Sequence, residues 1–178
     1  MNSNIYDSIN FIICFGVTVL CAIRFDFSKK VLFLLLLHLL LVTFIDLGLS
    51  YNYMPDQFRY LIATQELRDH FRTSEPSTIK YTGIFFAVFP LFIVSVKSIA
   101  YINYLIYLGM FIFILRELED KNLALFFKAF YLCYPSLILY SSLGLRDILI
   151  LFLMLMSLYY AIINPKLIFA IITLGAYL

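Results

Sequence analysis

The chain has 178 residues, of which 63% are hydrophobic and only 13% charged, with a mean hydropathy of +0.96. Soluble domains carry roughly 45–50% apolar and about 25% charged residues, and so few polar groups cannot cover a water-exposed surface. A soluble monomer, a disordered chain and a disulfide scaffold are excluded, and a bilayer is the expected setting; 13 Lys+Arg against 11 Asp+Glu leave a net +2, too little for nucleic acid as a partner.

The N-terminal MNSNIYDSIN lacks the basic region and small-residue cleavage site of a signal peptide, so Ile9–Ile23 is expected to stay as a membrane helix. Val31–Leu49 reads as a second span, with His38 at depth and Asp46 near its outer end. Residues 51–80 break the apolar pattern with eight charged side chains. Tyr81–Leu115 is apolar again apart from Lys97-Ser98, and Arg116–Lys121 is a charged loop. Leu123–Leu145 and Ile148–Ile163 follow as spans divided by Arg146-Asp147, and Lys166–Leu178 stops in mid-hydrophobic sequence after 13 residues. The expectation is one all-α transmembrane domain over 1–178, the N-terminal portion of a longer chain, with about six to seven membrane segments. It divides into a first helix pair (1–50), an outer loop with a membrane-parallel helix (51–80) and further membrane helices (81–178). Cys14, Cys21 and Cys133 show no metal-ligand spacing, and no metal or cofactor is expected.

Basic residues favour the cytoplasmic side. Arg24, Lys29 and Lys30 place the first loop there, and Arg116, Lys121 and Lys128 form a second basic cluster. Both clusters are cytoplasmic if Tyr81–Val96 is a shallow or re-entrant segment broken near Pro90 and Tyr101–Leu115 is the true span. Residues 51–80 and Arg146-Asp147 then share the outer face. Within 51–80, Pro55 and Pro76 bracket a stretch with no helix breaker, predicting a helix over Asp56–Arg72. Tyr60, Ala63, Leu67 and Phe71 form one apolar stripe, expected to lie against the membrane surface. A solvated connector whose Asp56 and Arg59 merely pair at i, i+3 is the plainer alternative, as is a charged turn at Arg146-Asp147. His38 is expected to bond to a neighbouring helix, and Asn103, Tyr101, Tyr104 and Tyr107 to make interhelical contacts.

Met54-Pro55-Asp56-Gln57-Phe58-Arg59-Tyr60, with Ala63 and Gln65-Glu66-Leu67, resembles the first outer loop of the GT-C membrane glycosyltransferases. Asp56 takes the position of that family's catalytic carboxylate and Arg59-Tyr60 its Arg-Tyr pair. Gln57 departs from the pattern, standing where a second acid occurs. Tyr134-Pro135-Ser136 and the later Ser141–Asp147 run resemble the family's second acidic motif, with Asp147 as its carboxylate. Surface-polysaccharide polymerases of the Wzy and EpsG type are similar in the same features.

The resemblance implies a multi-pass enzyme of the bacterial inner membrane that moves a sugar from a polyprenyl-phosphate carrier to a glycan or lipid acceptor. Asp56 would take the acceptor proton. Arg59 or Arg146 would hold the leaving phosphate, and Asp147 would orient Arg146 or the acceptor. Tyr60 would stack on a sugar, with Arg68 and Arg72 as further phosphate contacts. A non-enzymatic subunit or inactive remnant is the competing class. A transporter is disfavoured by the scarcity of charge within the spans.

Overall fold

A computed structural model describes residues 3–44 and 54–163. Among these, all regular structure is helical: α1 (Ser3–Arg24), α2 (Lys29–Phe44), α3 (Pro55–His70), α4 (Ser77–Val88), α5 (Val96–Glu117), α6 (Lys121–Cys133), α7 (Pro135–Ser141) and α8 (Asp147–Ile163). Two of them, α1 over Ile5–Arg24 and α5 over Val96–Glu117, are long and apolar enough to cross a membrane. The bent pair α6–α7 makes a third if it counts as one span. This is fewer than the apolar runs alone suggested, and Leu123–Leu145 shows why. Pro135 lacks an N–H and its ring collides with the preceding turn. Helix α6 therefore ends at Cys133, and α7 restarts with Pro135 in its first turn, 57° off the α6 axis. Asp46 and Lys166–Leu178 lie outside the described residues.

Helix α5 is the axis around which the others assemble. Within its apolar stretch 67% of the residues are buried inside the protein, against 22% for α1, so α5 is surrounded by helices while α1 turns one side outward. Ile99, Ile102, Tyr104, Tyr107 and Phe111 on α5 are fully buried. Ile12 and Leu20 on α1, Phe33 on α2, Leu125 and Phe126 on α6 and Leu158 on α8 are all exposed by more than 60%, an outward apolar surface suited to lipid. Polar contacts tie the helices together inside. The Tyr104 hydroxyl donates to the Leu35 carbonyl at 3.2 Å and lies 2.9 Å from Thr18 Oγ1. Tyr107 and Tyr131 each donate to the other's carbonyl, at 3.2 and 2.9 Å.

The start of α5 is fixed by its own sequence. Ser95 and Ser98 form a reciprocal capping box. The Asp7 carboxylate of α1 accepts from both hydroxyls, at 2.8 and 2.9 Å from Ser95 and 3.0 Å from Ser98. The N-termini of α1 and α5 therefore lie at one end of the molecule, and their basic C-terminal turns, bearing Arg24 and Arg116, at the other.

Helix α4 has 12 residues, about 18 Å of helix, too short for a bilayer core of about 30 Å. It ends before Pro90, and the irregular segment 89–95 leads into α5. Helix α3 starts at Pro55, whose fixed φ suits a first turn, and lies against α4. Its buried face is Gln57, Tyr60, Ala63, Thr64 and Leu67. The expected stripe thus faces protein rather than the membrane surface. Phe71 leaves it altogether: it caps the helix in the left-handed region at φ 56° and is 87% exposed. At the crossing, a Cβ on Gly83 would stand 3.0 Å from the Ala63 Cβ, so the two backbones approach as closely as small residues allow.

Candidate functional site

Two segments far apart in sequence meet where α3 begins and where α7 gives way to α8. The linking chain, residues 142–146, is irregular and dips into the interior: Ser142, Leu143 and Gly144 are buried. Backbone buried away from water must find internal partners, and side chains from α5 and α3 supply them. The Asn103 Nδ2 of α5 donates to the Leu143 and Leu145 carbonyls, both at 2.6 Å. The Gly144 N–H donates to Gln57 Oε1 of α3 at 2.9 Å. His38 Nε2 of α2 lies 3.0 Å from Ser141 Oγ and 3.2 Å from Ser142 Oγ. Both serine hydroxyls donate to carbonyls of the preceding turn, which assigns the His38 proton to Nε2 as donor. Gly144 has no room for a side chain: a Cβ would meet Val96 Cγ1 at 3.0 Å and the Val96 carbonyl at 3.1 Å.

This docking brings the five residues singled out in sequence, Asp56, Arg59, Tyr60, Arg146 and Asp147, into one neighbourhood. Tyr60 is 2% exposed, and its phenol is pushed up to about 12, chiefly by burial. All four charged groups act on it: Arg146 and Arg59 pull the value down, Asp56 and Asp147 push it up. Asp56 and Asp147 are exposed and each opens a helix, where a carboxylate meets the positive end of the backbone dipole. The Arg146 carbonyl accepts the Ile150 N–H at 2.9 Å at the start of α8. The arrangement presents two solvent-facing carboxylates beside two half-buried guanidiniums, over a neutral buried phenol. It has the groups for accepting a proton and for binding a phosphate.

Several assignments change. Arg59 pairs with Glu75: its Nε and Nη2 donate to Glu75 Oε2 at 2.9 and 2.7 Å. Arg68 is not placed to take a phosphate, because its guanidinium donates to the carbonyls of Ala87, Phe89 and Leu91 and closes the end of α4. Gln65 Nε2 adds a bond to the Ile93 carbonyl at 3.1 Å. Arg72 is exposed beyond the end of α3.

Three positions that build this arrangement were not read as such from the sequence. Gln57 registered only as a departure from a motif, yet it joins the two halves of the site. Asn103 registered as an interhelical contact, yet it holds the 143–145 backbone. Glu75 carried no signal beyond its place beside Pro76. Among the described residues no group of His, Cys, Asp and Glu is arranged to hold a metal ion. Comparisons with protein-family models, curated proteins and solved structures return no match to this chain.

Proposed function

We propose that this protein is a multi-pass bacterial inner-membrane glycosyltransferase that moves a sugar or glycan from a polyprenyl-phosphate carrier to an acceptor hydroxyl at the outer face. The observation that carries the reading is the Gln57–Gly144 hydrogen bond, 2.9 Å long and spanning 87 positions. It puts the segment bearing Asp56, Arg59 and Tyr60 beside the one bearing Arg146 and Asp147. These are the two segments whose residues resemble the two acidic motifs of the GT-C enzymes.

In this reading an exposed carboxylate, Asp56, accepts the proton of the attacking hydroxyl as the bond from sugar to carrier phosphate breaks. Arg146 meets the charge that develops on the departing phosphate, a role in which donors count most when the charge is largest. Arg59 is held by Glu75 and so positions α3 or serves the phosphate only by exchanging partners. Asp147, next to Arg146, orients it or the acceptor. A polysaccharide polymerase would use the same groups on a longer glycan donor. A non-enzymatic subunit has no observation in its favour beyond the apolar surface that any membrane protein presents.

The test is complementation in a deletion strain of the native host, scored by the surface-glycan profile. Asp56→Asn and Asp147→Asn should each abolish the product while the protein accumulates in the membrane at wild-type level. Wild-type glycan from Asp56→Asn removes the catalytic role. Impermeant thiol labelling of cysteines at 56 and 147 from opposite sides of the membrane removes the shared site.

A further inference from the structure

At the end of the molecule remote from that site, the loop after α1, the C-terminal end of α5 and helix α6 enclose a pocket of 290 Å³. Along α5 the stretch from Asn103 to Ile112, about 14 Å of helix, separates the two. Arg116, Lys128, Ser28 and Asp26 contribute its polar lining, and Phe27 and Ile112 are among its apolar walls. Neither Arg116 nor Lys128 has an ion-pair partner among the described residues. Arg24, Lys29, Lys30 and Lys121 flank the same end, which makes it the basic, cytoplasm-facing end of the two candidate spans.

We infer that this pocket binds a phosphate-bearing anion, delivered as the headgroup of an anionic phospholipid of the leaflet it faces. Two unpaired cations and a serine hydroxyl match a phosphodiester, and basic pockets between membrane helices are suited to such headgroups. The volume lies at the small end for a ligand site, which suits a headgroup rather than a whole lipid. The aromatic and aliphatic walls suit the glycerol and first methylenes better than a free, fully hydrated ion. Asp26, with its backbone in the left-handed region at φ 50°, opposes anion binding and sets the site's affinity below what two cations alone would give. The inference rests on α1 and α5 spanning a membrane and is independent of the transferase reading.

The test is titration of the purified full chain, in neutral detergent at fixed ionic strength, followed by native mass spectrometry and calorimetry. The probes are dihexanoyl phosphatidylglycerol, dihexanoyl phosphatidylcholine and inorganic phosphate. Saturable phosphatidylglycerol binding, about tenfold or more tighter than phosphatidylcholine, is expected, with a similar loss in Arg116→Gln/Lys128→Gln. Asp26→Asn, which keeps a residue type tolerant of the left-handed backbone, should tighten binding severalfold. This gain cannot come from misfolding, so it carries the test if the double variant is unstable. Equal binding of the two lipids, or no tightening in Asp26→Asn, overturns the inference. Inorganic phosphate binding as tightly as phosphatidylglycerol overturns the lipid source.

Discussion

Asn103 makes two of the hydrogen bonds that hold the 142–146 chain in place, so Asn103→Leu tests the site without touching its charges. Leucine has asparagine's branching but is bulkier, and position 103 is fully buried, so the substitution removes the amide and also crowds the two carbonyls, which a methyl cannot approach to 2.6 Å. It takes away two hydrogen bonds, to the Leu143 and Leu145 carbonyls. It also leaves both carbonyls short of a partner, at roughly 1–3 kcal/mol for each that stays buried. Two effects offset this. The Asn103 Oδ1 is itself buried without a partner among the described residues, and removing it recovers some of that cost. Interhelical polar contacts in membrane proteins also average only about 0.6 kcal/mol when measured. The net expectation is a loss of about 2–4 kcal/mol. Cys14, fully buried in the core, is the reporter: its reaction with a thiol-specific fluorophore during denaturation follows unfolding, with the half-buried Cys21 and the exposed Cys133 replaced by serine. The second arm is Gln57→Leu, expected to cost about 1–3 kcal/mol by stranding the Gly144 N–H. Because both side chains hold the same short chain, the double variant should lose less than the sum, by about 1 kcal/mol or more. An Asn103→Leu cost below about 1 kcal/mol, or full additivity, refutes the view that these residues secure one loop.

Three other outcomes follow from separate contacts. Gly83→Val should drive α3 from α4, since its first carbon already meets Ala63 at 3.0 Å; a drop of several degrees in the unfolding temperature is expected, and Ala63→Gly should recover part of it. Arg68→Gln should leave the end of α4 without its three-carbonyl cap, read as faster amide hydrogen exchange confined to 87–93. Tyr60 has a folded-state value of about 12, above the usual value of about 10 for an unfolded tyrosine. Its contribution is therefore complete below pH ~10 and is lost as pH rises towards 12. Stability measured across that window should fall less steeply in Tyr60→Phe than in wild type.

The sequence made the apolar character and much of the helix placement legible because both follow from local rules. Pro55 and Pro76 bracket α3, Tyr60, Ala63 and Leu67 mark its buried face, and Pro90 ends the helix before α5. What that buried face meets was not legible. An apolar stripe reads the same against lipid as against α4, and only the Gly83–Ala63 approach distinguishes them. Pro135 falls within a motif resemblance, and its plainer effect is to break the span between α6 and α7. The charged residues of the site were found because charges are rare in this chain. Gln57 and Asn103 were not assigned to it because a neutral amide bound to backbone leaves no pattern in spacing or composition. Glu75 was hidden for a different reason: the loop after α3 carries several charges, and nothing local says which one turns back to Arg59.

Gln57 also explains how one acid per segment can suffice here. Position 57 is 1% exposed and its acceptor oxygen is committed to the Gly144 N–H. Glutamate would keep that bond but bury a charge beside Asp56, in a cluster where Asp147 already adds a second negative charge near Tyr60. Burial and the two carboxylates favour the protonated form, while Arg146 and Arg59 oppose it; at a position 1% exposed burial dominates, so a glutamate at 57 would titrate above its unfolded value of about 4.3. The sign follows: Gln57→Glu should be close to wild type in stability below pH ~4 and lose ground as pH rises through the folded-state value. The glutamine thus supplies the geometry of the docking bond without that penalty, leaving Asp56 and Asp147 as the exposed carboxylates. Unfolding temperatures of wild type and Gln57→Glu compared at pH 4 and pH 8 measure the difference directly. If the variant matches wild type at pH 8, the buried position tolerates an acid, and the departure at residue 57 says nothing about how the two segments are held together.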